Sequence, residues 1–478
     1  MADRVVLVCG DRQYCRADLD ELADRLAAEL RRRGVGTGRR VALMSSNRPE
    51  FVAAVLAIWR LGGSVVLLSP AWKQTEVRHA LSLAAPVAAV GDHEVLAALM
   101  PMLHLDELLP QGSVDPVTTD GEAVLVFSSG TTGMPKAVRH THRGLRAAVA
   151  QWREALGLSA ADRMQIMTPP SHILGLLNIL TALDAGVWLR LHPRFDIDTM
   201  LRHIQQDRIT VEMVVAPMAL ALAAHPDLES YDLSSLRYIM WCATPVTPSV
   251  AHEVTRRTGV HWLTASGSSE VVLFSCNEIG GSLDTVGRAA PGVQIRIRSD
   301  SGDVLGAGGE GEIQVRSEAA MAGYLPDSET ASVFDDGWYR TGDIGYLDAD
   351  GRLYITDRAK EMIKVRGFQI APAEIEAVLL GHRAVADCAV FGVPDAADGE
   401  AVVAAVTRCG EVDADELTAL VSERLASYKR LSTVMFVPEI PRLPSGKVLR
   451  RVLKEQVMSA CATNLSLSSS ACAKDGGL

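Results

Sequence analysis

The chain has 478 residues, of which 48% are hydrophobic and 22% charged, and its formal net charge is −11. This length allows about two or three domains with their own cores, and the composition is typical of a globular enzyme. The acidic balance, without a long basic run, argues against binding of nucleic acid or of an anionic membrane. The eight cysteines form no CxxC pair, so they indicate neither a zinc ribbon nor a dithiol redox motif.

No targeting or membrane segment is expected from the sequence. The first residues, MADRVVLVCGDRQY, combine an early charge with an apolar run that is too short for a signal peptide. No stretch approaches the ~18 uninterrupted apolar residues of a membrane-spanning helix. These features predict a cytoplasmic protein.

The first hundred residues alternate between helical and strand patterns. Apolar periodicity predicts a helix over 19–30, a strand over 41–44, a helix over 49–61 and a strand over 65–68. Gly34 and Pro49 stand at helix boundaries, where these residue types are favoured. This order predicts a parallel sheet covered by helices. Segment 95–121 is less regular, and we expect it to join two subdomains.

Residues 124–138 read VLVFSSGTTGMPKAV, and their first four residues predict a buried strand. Glycines let backbone N–H groups approach an anion, hydroxyls donate hydrogen bonds and a lysine adds positive charge. We therefore expect this segment to bind phosphates, although its spacing is not that of a Walker loop. The predicted phosphate-binding residues are Ser128, Ser129, Gly130, Thr131, Thr132, Gly133 and Lys136.

This segment resembles the phosphate loop of adenylate-forming enzymes, which include acyl- and aryl-CoA synthetases, firefly luciferase and the adenylation domains of peptide synthetases. The family usually has Pro-Lys-Gly where this chain has Pro135, Lys136 and Ala137. The resemblance implies an α/β fold with a large N-terminal domain of sheet-and-helix subdomains and a small, mobile α+β C-terminal domain. It also implies ATP, Mg²⁺ and CoA as the groups that the site binds.

A helix is predicted over 141–156, and a strand over 164–167 ends at Pro-Pro-Ser-His. In α/β proteins ligands bind at such strand ends. The resemblance implies that His172 lies at the mouth of the acyl pocket and Gly175 on its floor. The family's amino-acid-activating members have an aspartate in this region, and none is near His172, which argues against an amino acid substrate.

Two further strand-to-turn units are predicted over 211–217 and 238–245. The family usually has a glycine-rich turn at the second, where this chain has Cys242 and Ala243. These side chains either reshape the acyl pocket or only fill the core, and the sequence leaves both readings open. An aromatic or medium-length aliphatic acid fits the predicted pocket residues Leu174, Leu176, Leu177, Val271, Val272 and Leu273.

Residues 264–270, TASGSSE, resemble the family's Tyr-Gly-x-Thr-Glu element. The resemblance implies that the Ser269 hydroxyl faces a phosphate and that Glu270 binds Mg²⁺, as a hard carboxylate suits a hard cation. Ser266 replaces the aromatic residue that stacks on adenine in the family. Base stacking contributes on the order of 1–3 kcal/mol, so ATP binding is weakened or another side chain covers the ring.

Later motifs complete the predicted nucleotide site. In GWYRTGDIG, Asp343 matches the aspartate that binds the ribose hydroxyls, and Arg358 matches an arginine that contacts ribose and phosphates. In PRLPSGK, Lys447 matches the catalytic lysine that bridges the substrate carboxylate and the α-phosphate. Lys447, His172 and Glu270 are thus the residues expected to take part in catalysis.

The resemblance also implies a domain hinge. Lys360 falls at the hinge position, and Lys364 and Gly367 fall in the segment that lines the CoA tunnel, although Lys364 could simply be a solvated charge. We expect an adenylation domain over 1–357, a hinge over 358–360, a mobile C-terminal domain over 361–457 and a disordered tail over 458–478. The sequence predicts a strand over 352–356, at the end of the adenylation domain. In the C-terminal domain it predicts a helix over 372–380 and a strand over 385–393 followed by a turn.

The predicted activity is that of an AMP-forming acyl- or aryl-CoA ligase acting on a carboxylic acid. One alternative passes the adenylate to a carrier protein or an amine. Another performs only the thioester half-reaction on a supplied adenylate, as Ser266 suggests. A non-catalytic nucleotide-binding protein would require Asp343, Glu270 and Lys447 to be idle, which argues against that class.

Overall fold

The computed structural model describes residues 4–107, 109–128, 136–243, 246–299, 301–358, 363–365, 368–370, 372–395, 399–425, 429–442 and 448–457. By internal contacts the chain divides into two compact units. Unit 1 comprises Met1–Arg296, Gln314–Thr341 and Asp348–Leu353, and unit 2 comprises Ile297–Ile313, Gly342–Leu347 and Tyr354–Leu478. The predicted boundaries at 357–360 and 457 stay predictions.

The helices of unit 1 begin and end at residues suited to those positions. Pro49 occupies the first turn of one helix, and the Thr141 hydroxyl accepts a hydrogen bond from the Gly144 N–H, 3.0 Å away, at the start of another. Gly157 ends that helix with φ +57°. The described helices of unit 1 are Arg16–Arg32, Pro49–Arg60, Gln74–Ala84, Glu94–Ala97, His142–Leu156, Ile173–Ala185, Ile197–Asp207, Ala216–Ala224 and Pro248–Thr258.

One sheet of unit 1 contains nine strands of the described chain. Its central strands are parallel, and antiparallel strands flank them at both ends. Its core includes the tryptophans Trp241 and Trp262, whose ring centroids are 5.4 Å apart. In spatial order the strands are Arg288–Ala289, Ser275–Cys276, Trp262–Ser266, Tyr238–Trp241, Val211–Val214, Arg163–Ile166, Trp188–Leu191, Val5–Cys9 and Arg12–Cys15.

The second sheet of unit 1 carries the predicted phosphate loop. Five of its seven described strands are parallel, as the βαβ pattern predicted, and two antiparallel strands complete one edge. In spatial order they are Gly323–Leu325, Lys136–Thr141, Glu122–Ser128, Ser64–Leu68, Arg40–Met44, Ala88–Gly91 and Met102–His104.

Unit 2 contains a smaller sheet and three described helices, Pro372–Leu380, Ala414–Arg424 and 450–457. The strand Val385–Asp395 continues through Pro394, where a turn was predicted. It lies at the edge of the sheet, where a proline costs no ladder hydrogen bond. The strands are Phe368–Ile370, Ile363–Val365, Gly399–Arg408 and Val385–Asp395 in spatial order, with Thr433–Phe436 parallel to Gly399–Arg408.

Six further strands of the described chain lie between residues 293 and 358: Val293–Arg298, Val304–Leu305, Gly311–Ser317, Phe334–Asp335, Trp338–Leu347 and Leu353–Arg358. Short 3-10 turns occur at Leu228–Ser230 and Asp327–Glu329. Searching the described residues reveals no helix with both the length and the apolar character needed to cross a bilayer.

Candidate active site

A β-hairpin carries the predicted phosphate loop. Its strands, Glu122–Ser128 and Lys136–Thr141, are antiparallel, and Ser128 lies opposite Lys136. The sheet therefore fixes both ends of the loop. The loop itself lies outside the described residues, and with it the predicted phosphate-binding residues Ser129, Gly130, Thr131, Thr132 and Gly133.

Among the described residues, Glu329 and Tyr324 contact the ammonium group of Lys136. It forms an ion pair with the Glu329 carboxylate, whose Oε2 is 2.5 Å from Nζ. It also lies 5.6 Å from the centroid of the Tyr324 ring, within the range of a cation–π interaction. Tyr324 belongs to the edge strand Gly323–Leu325, in which it pairs with Val138 just after the loop.

A tight turn follows strand Trp262–Ser266 and presents Glu270. A Cβ at Gly267 would lie 2.1 Å from the carbonyl oxygen of Val272, so only glycine fits there. The Glu270 carboxylate is buried, with 8% exposure, and accepts a 2.8 Å hydrogen bond from the Tyr324 hydroxyl. The Glu270 carbonyl accepts a further bond from the Met321 N–H at 2.7 Å. Segment 321–324 thus holds both the backbone and the side chain of Glu270.

A buried histidine supports the same turn. The Nε2 of His140 is 2.7 Å from the Ser269 carbonyl oxygen. Burial lowers the pKa of His140, so the neutral ring donates from Nε2 and fixes Ser269 beside Glu270. Sequence reasoning missed both His140 and Tyr324. The only signal for His140 was its place in an alternating strand, whereas none singled out Tyr324.

His172 and Gly175 begin the helix after the Pro169–Pro170 turn. The Nδ1 of His172 accepts a hydrogen bond from the Leu174 N–H at 3.4 Å and caps helix Ile173–Ala185. Burial lowers the pKa of His172 and Glu270 opposes this shift, which places the two side chains within electrostatic range. A Cβ at Gly175 would lie 2.3 Å from the Pro169 carbonyl oxygen, so this glycine permits close packing.

The turn after strand Tyr238–Trp241 contains Cys242 and Ala243. Burial raises the pKa of the Cys242 thiol to about 12, so this cysteine remains a protonated, unreactive thiol. Ala243 adopts φ +62°, in the left-handed region that glycine favours. Val271 is fully buried and forms an isolated bridge with Ala320. Ser266, the last residue of its strand, pairs with Ser275.

The remaining predicted residues belong to unit 2. Asp343 lies within strand Trp338–Leu347. Arg358 lies in strand Leu353–Arg358 and Lys364 in strand Ile363–Val365, and the structure describes only the backbone of these two residues. Lys360, Gly367 and Lys447 lie outside the described residues.

In unit 1 the fold thus brings together the end of the predicted phosphate loop, the Ser269–Glu270 turn and His172. Lys136 supplies positive charge and Glu270 supplies a carboxylate, and Tyr324 contacts both. Such a cluster can hold an anionic ligand at the lysine and a divalent cation at the carboxylate.

Comparison with known proteins identifies the family of the chain. The AMP-binding enzyme family matches residues 1–325, and the AMP-binding enzyme C-terminal domain matches residues 374–447. The chain belongs to the AMP-binding enzyme family. The adenylate-forming superfamily predicted from the motifs is thereby confirmed, with acyl- and aryl-CoA ligases among its relatives.

A curated relative, 4-coumarate–CoA ligase 2 of Oryza sativa subsp. japonica, is 34% identical over 517 residues, covering 96% of this chain and 90% of that protein. The amide bond synthetase McbA from Marinactinospora thermotolerans is 31% identical with a TM-score of 0.87, covering 95% of this chain and 96% of that one.

The o-succinylbenzoate CoA synthetase MenE from Bacillus subtilis, in complex with its acyl-adenylate intermediate, is 30% identical with a TM-score of 0.86. The match covers 94% of this chain and 95% of that one. The same enzyme in complex with ATP and magnesium ion gives a TM-score of 0.85 at 29% identity, covering 94% and 96%. These neighbours share the predicted α/β fold.

Proposed function

We propose that this AMP-binding enzyme activates a carboxylic acid with ATP as an acyl-adenylate and then transfers the acyl group to the thiol of CoA. The observation that carries the proposal is the cluster around Glu270, in which a loop lysine, a buried carboxylate and a neutral histidine share one neighbourhood. Both reactants of the first step are anions, so the site has to order them and offset their charge.

In the first step the acid's carboxylate oxygen attacks the α-phosphorus of ATP, a new P–O bond forms and pyrophosphate leaves. Lys136, at the end of the phosphate loop, would bind the phosphates once it exchanges its Glu329 partner for them. Lys447 would bridge the carboxylate and the α-phosphate and so stabilise the developing charge. This role for Lys447 rests on its motif.

The residues around Glu270 fit a magnesium site of the kind found with nucleotides. Mg²⁺ prefers hard oxygen ligands and usually binds through one or two carboxylates, with water and phosphate oxygens completing its shell. Glu270 supplies one such carboxylate. The described residues contain no cluster of three or more His, Cys, Asp or Glu side chains that could hold a metal ion on its own. Bound Mg²⁺ would neutralise phosphate charge, and MenE has been solved with ATP and magnesium ion.

In the second step the CoA thiol, after losing its proton, attacks the carbonyl carbon of the adenylate. The C–S bond forms and AMP leaves, giving acyl-CoA. Lys364 and Gly367 are the residues proposed to line the path of the thiol. The hinge motion at Lys360 that the resemblance implies would bring both of them into the site.

An aromatic acid is the substrate class favoured first. The curated relatives include 4-coumarate–CoA ligases, and the pocket residues proposed from the sequence, such as Leu176 and Val271, are buried and apolar. His172 remains neutral because burial lowers its pKa, which suits an acid whose body is uncharged. An amine acceptor is the second candidate, favoured by the similarity to the amide bond synthetase McbA.

The deciding experiment measures pyrophosphate release from ATP over a panel of aromatic and aliphatic acids, with CoA, with an amine or with neither, and identifies products by mass spectrometry. Acyl-CoA and AMP are the expected products. An amide as the main product would favour the second candidate. Turnover of a synthetic acyl-adenylate, without any pyrophosphate release, would replace the proposal by the thioester half-reaction alone.

A further inference from the structure

The Glu270 carboxylate depends on a tyrosine that the proposed mechanism has not used. A buried carboxylate loses its hydration and needs hydrogen-bond donors or cations in exchange. Oε1 of Glu270 accepts from the Tyr324 hydroxyl at 2.8 Å. In the described part of the chain this is the single hydrogen bond seen at the carboxylate, so Tyr324 fixes one of its oxygens.

The chemistry of the carboxylate sets the direction of that hydrogen bond. An ionised carboxylate only accepts, so the Tyr324 hydroxyl donates its proton to Glu270. At neutral pH a phenol keeps its proton, so Tyr324 remains a hydrogen-bond donor. The side chains of Tyr324 and Tyr339 also interact. Both side chains are nearly inaccessible to solvent, at 6% and 5% exposure.

Tyr324 also contacts the opposite charge of the site. Its ring lies under the ammonium of Lys136, and its strand pairs with the strand that leaves the phosphate loop. The hydroxyl and the ring therefore have separate partners, one anionic and one cationic. A substitution that removes only the hydroxyl tests the first contact and keeps the second.

We propose that Tyr324 is a positioning residue for the divalent cation. Its hydroxyl holds Oε1 of Glu270, so that the other carboxylate oxygen of Glu270 remains available to bind the metal. This proposal rests on the proposed function, in which Glu270 binds Mg²⁺. Tyr324 thus sets the affinity of the site for the cation, whereas the affinity for the carboxylic acid does not depend on Tyr324.

The test compares Tyr324→Phe with the wild-type chain. Mn²⁺ binding is measured from the electron paramagnetic resonance signal of free Mn²⁺, with the protein and α,β-methylene-ATP present, so that no turnover is involved. Loss of the hydrogen-bond partner of a metal ligand typically weakens metal binding about 10- to 100-fold, and we expect about tenfold. The Mg²⁺ concentration for half-maximal pyrophosphate release should rise in parallel, while the KM for the acid stays constant.

Tyr238→Phe is the matched control. Tyr238 is fully buried and its hydroxyl donates to the Leu156 carbonyl oxygen at 2.6 Å, so its loss tests the general cost of deleting a buried phenol hydroxyl. This variant should bind Mn²⁺ as the wild type does. Circular dichroism verifies folding, and if Tyr324→Phe does not fold, Tyr339→Phe is measured instead, with a smaller weakening of Mn²⁺ binding expected.

A double variant tells whether Tyr324 acts through Glu270. In a Glu270→Gln background the further change Tyr324→Phe should leave Mn²⁺ binding unaltered. Equal Mn²⁺ affinity in Tyr324→Phe and wild type, or full additivity in the double variant, overturns the proposal. If the wild type releases no pyrophosphate with any acid but Tyr324→Phe still weakens Mn²⁺ binding, the proposed function fails and the role of Tyr324 stands.

Discussion

Ala243 adopts a backbone conformation that alanine disfavours. Its φ of +62° costs an L-residue with a Cβ roughly 1–2 kcal/mol, whereas glycine adopts this conformation freely. The family usually has glycines at this turn, where this chain has Cys242 and Ala243. Replacing glycine by alanine at position 243 therefore introduces backbone strain. Strained backbone of this kind tends to occur at functional sites.

We expect Ala243→Gly to stabilise the chain by about 0.5–1 kcal/mol, since relief of the left-handed strain exceeds the added entropy of unfolded glycine. Urea unfolding measures this change. The control is Ala150→Gly, at an exposed position in helix His142–Leu156, which should destabilise by about 1 kcal/mol. A loss of stability in Ala243→Gly would contradict the strain argument.

Glu212 is a fully buried carboxyl group in strand Val211–Val214. Oε2 of Glu212 accepts from the Gln165 amide at 2.6 Å, and Gln165 in turn contacts His192 at 2.8 Å. Burial raises the pKa of Glu212 to about 8, and burial lowers that of His192 to about 4. Both side chains are therefore neutral at pH 7 in the folded state.

This burial makes stability depend on pH in a defined direction. Between the ordinary carboxyl pKa near 4.5 and about 8, folded Glu212 keeps its proton while the unfolded chain loses it. The contribution of Glu212 to the free energy of unfolding is fully present below pH 4.5. As the pH rises, this contribution is lost by up to ~1.4 kcal/mol per pH unit. We expect Glu212→Gln to gain stability relative to wild type from pH 5 to pH 8.5.

Urea unfolding at both pH values measures the difference. Glu154→Gln, at an exposed carboxylate, is the control and should show no such trend. A difference between Glu212→Gln and wild type that stays constant with pH would mean that the buried carboxyl does not titrate as described.

At the scale of elements, the hairpin Glu122–Ser128 and Lys136–Thr141 orients the loop lysine toward Glu329 of the 3-10 turn Asp327–Glu329. If Lys136 binds phosphate as proposed, this carboxylate competes with the phosphate for its ammonium group. Since the Lys136–Glu329 pair is partly exposed, its interaction contributes at most about 1 kcal/mol, which corresponds to roughly a fivefold change in a binding constant.

We expect Glu329→Gln to lower the KM for ATP two- to fivefold, by roughly the worth of a surface ion pair, with kcat little changed. The effect should shrink at high ionic strength because salt screens exposed charges. Asp327→Asn is the control, since Asp327 pairs with Arg139 instead, 2.5 Å apart. An increase in the KM for ATP in Glu329→Gln would mean that Glu329 orients Lys136 for phosphate instead of competing for it.

Several elements of both units were predictable from local sequence. The helix Pro372–Leu380 was predicted with its observed bounds, and the strand predicted over 124–127 is Glu122–Ser128. The N-terminal hairpin was not predicted. Its strand Val5–Cys9 pairs with Trp188–Leu191, about 180 residues away, and no local periodicity encodes a partner at that distance. Tyr324 was missed for the same reason, because its contacts with Lys136 and Glu270 come from distant segments.

At the scale of the whole molecule, the sequence indicated a large first domain and a small second one. The structure assigns Ile297–Ile313 and Gly342–Leu347 to the same compact unit as the C-terminal residues. Segments that leave one unit and return to it cannot be recognised from composition, because each short strand looks like its neighbours. Asp343, predicted to bind ribose, lies in one of these returning segments.

If the chain catalyses both half-reactions, as proposed, suitable variants should separate them. If Lys447 stabilises the first transition state as proposed, Lys447→Ala should lose adenylation by at least about 100-fold, because the substitution removes that positive charge. It should still convert a supplied acyl-adenylate and CoA to thioester. The two half-reactions are assayed separately, by pyrophosphate release and by thioester formation. Survival of both would show that Lys447 has no catalytic role.

Gly367→Leu should have the opposite effect. If Gly367 lines the path of the thiol, a leucine side chain there blocks thioester formation, while adenylation, which needs no CoA, proceeds at the wild-type rate. Thioester yield from a supplied adenylate and pyrophosphate release are measured on the same preparation. Gly306→Leu is the matched control, because Gly306 also belongs to unit 2 and is exposed, with nothing within 4 Å of an added Cβ. Equal loss of both half-reactions in Gly367→Leu would remove the tunnel interpretation, because a general defect of unit 2 explains it equally well.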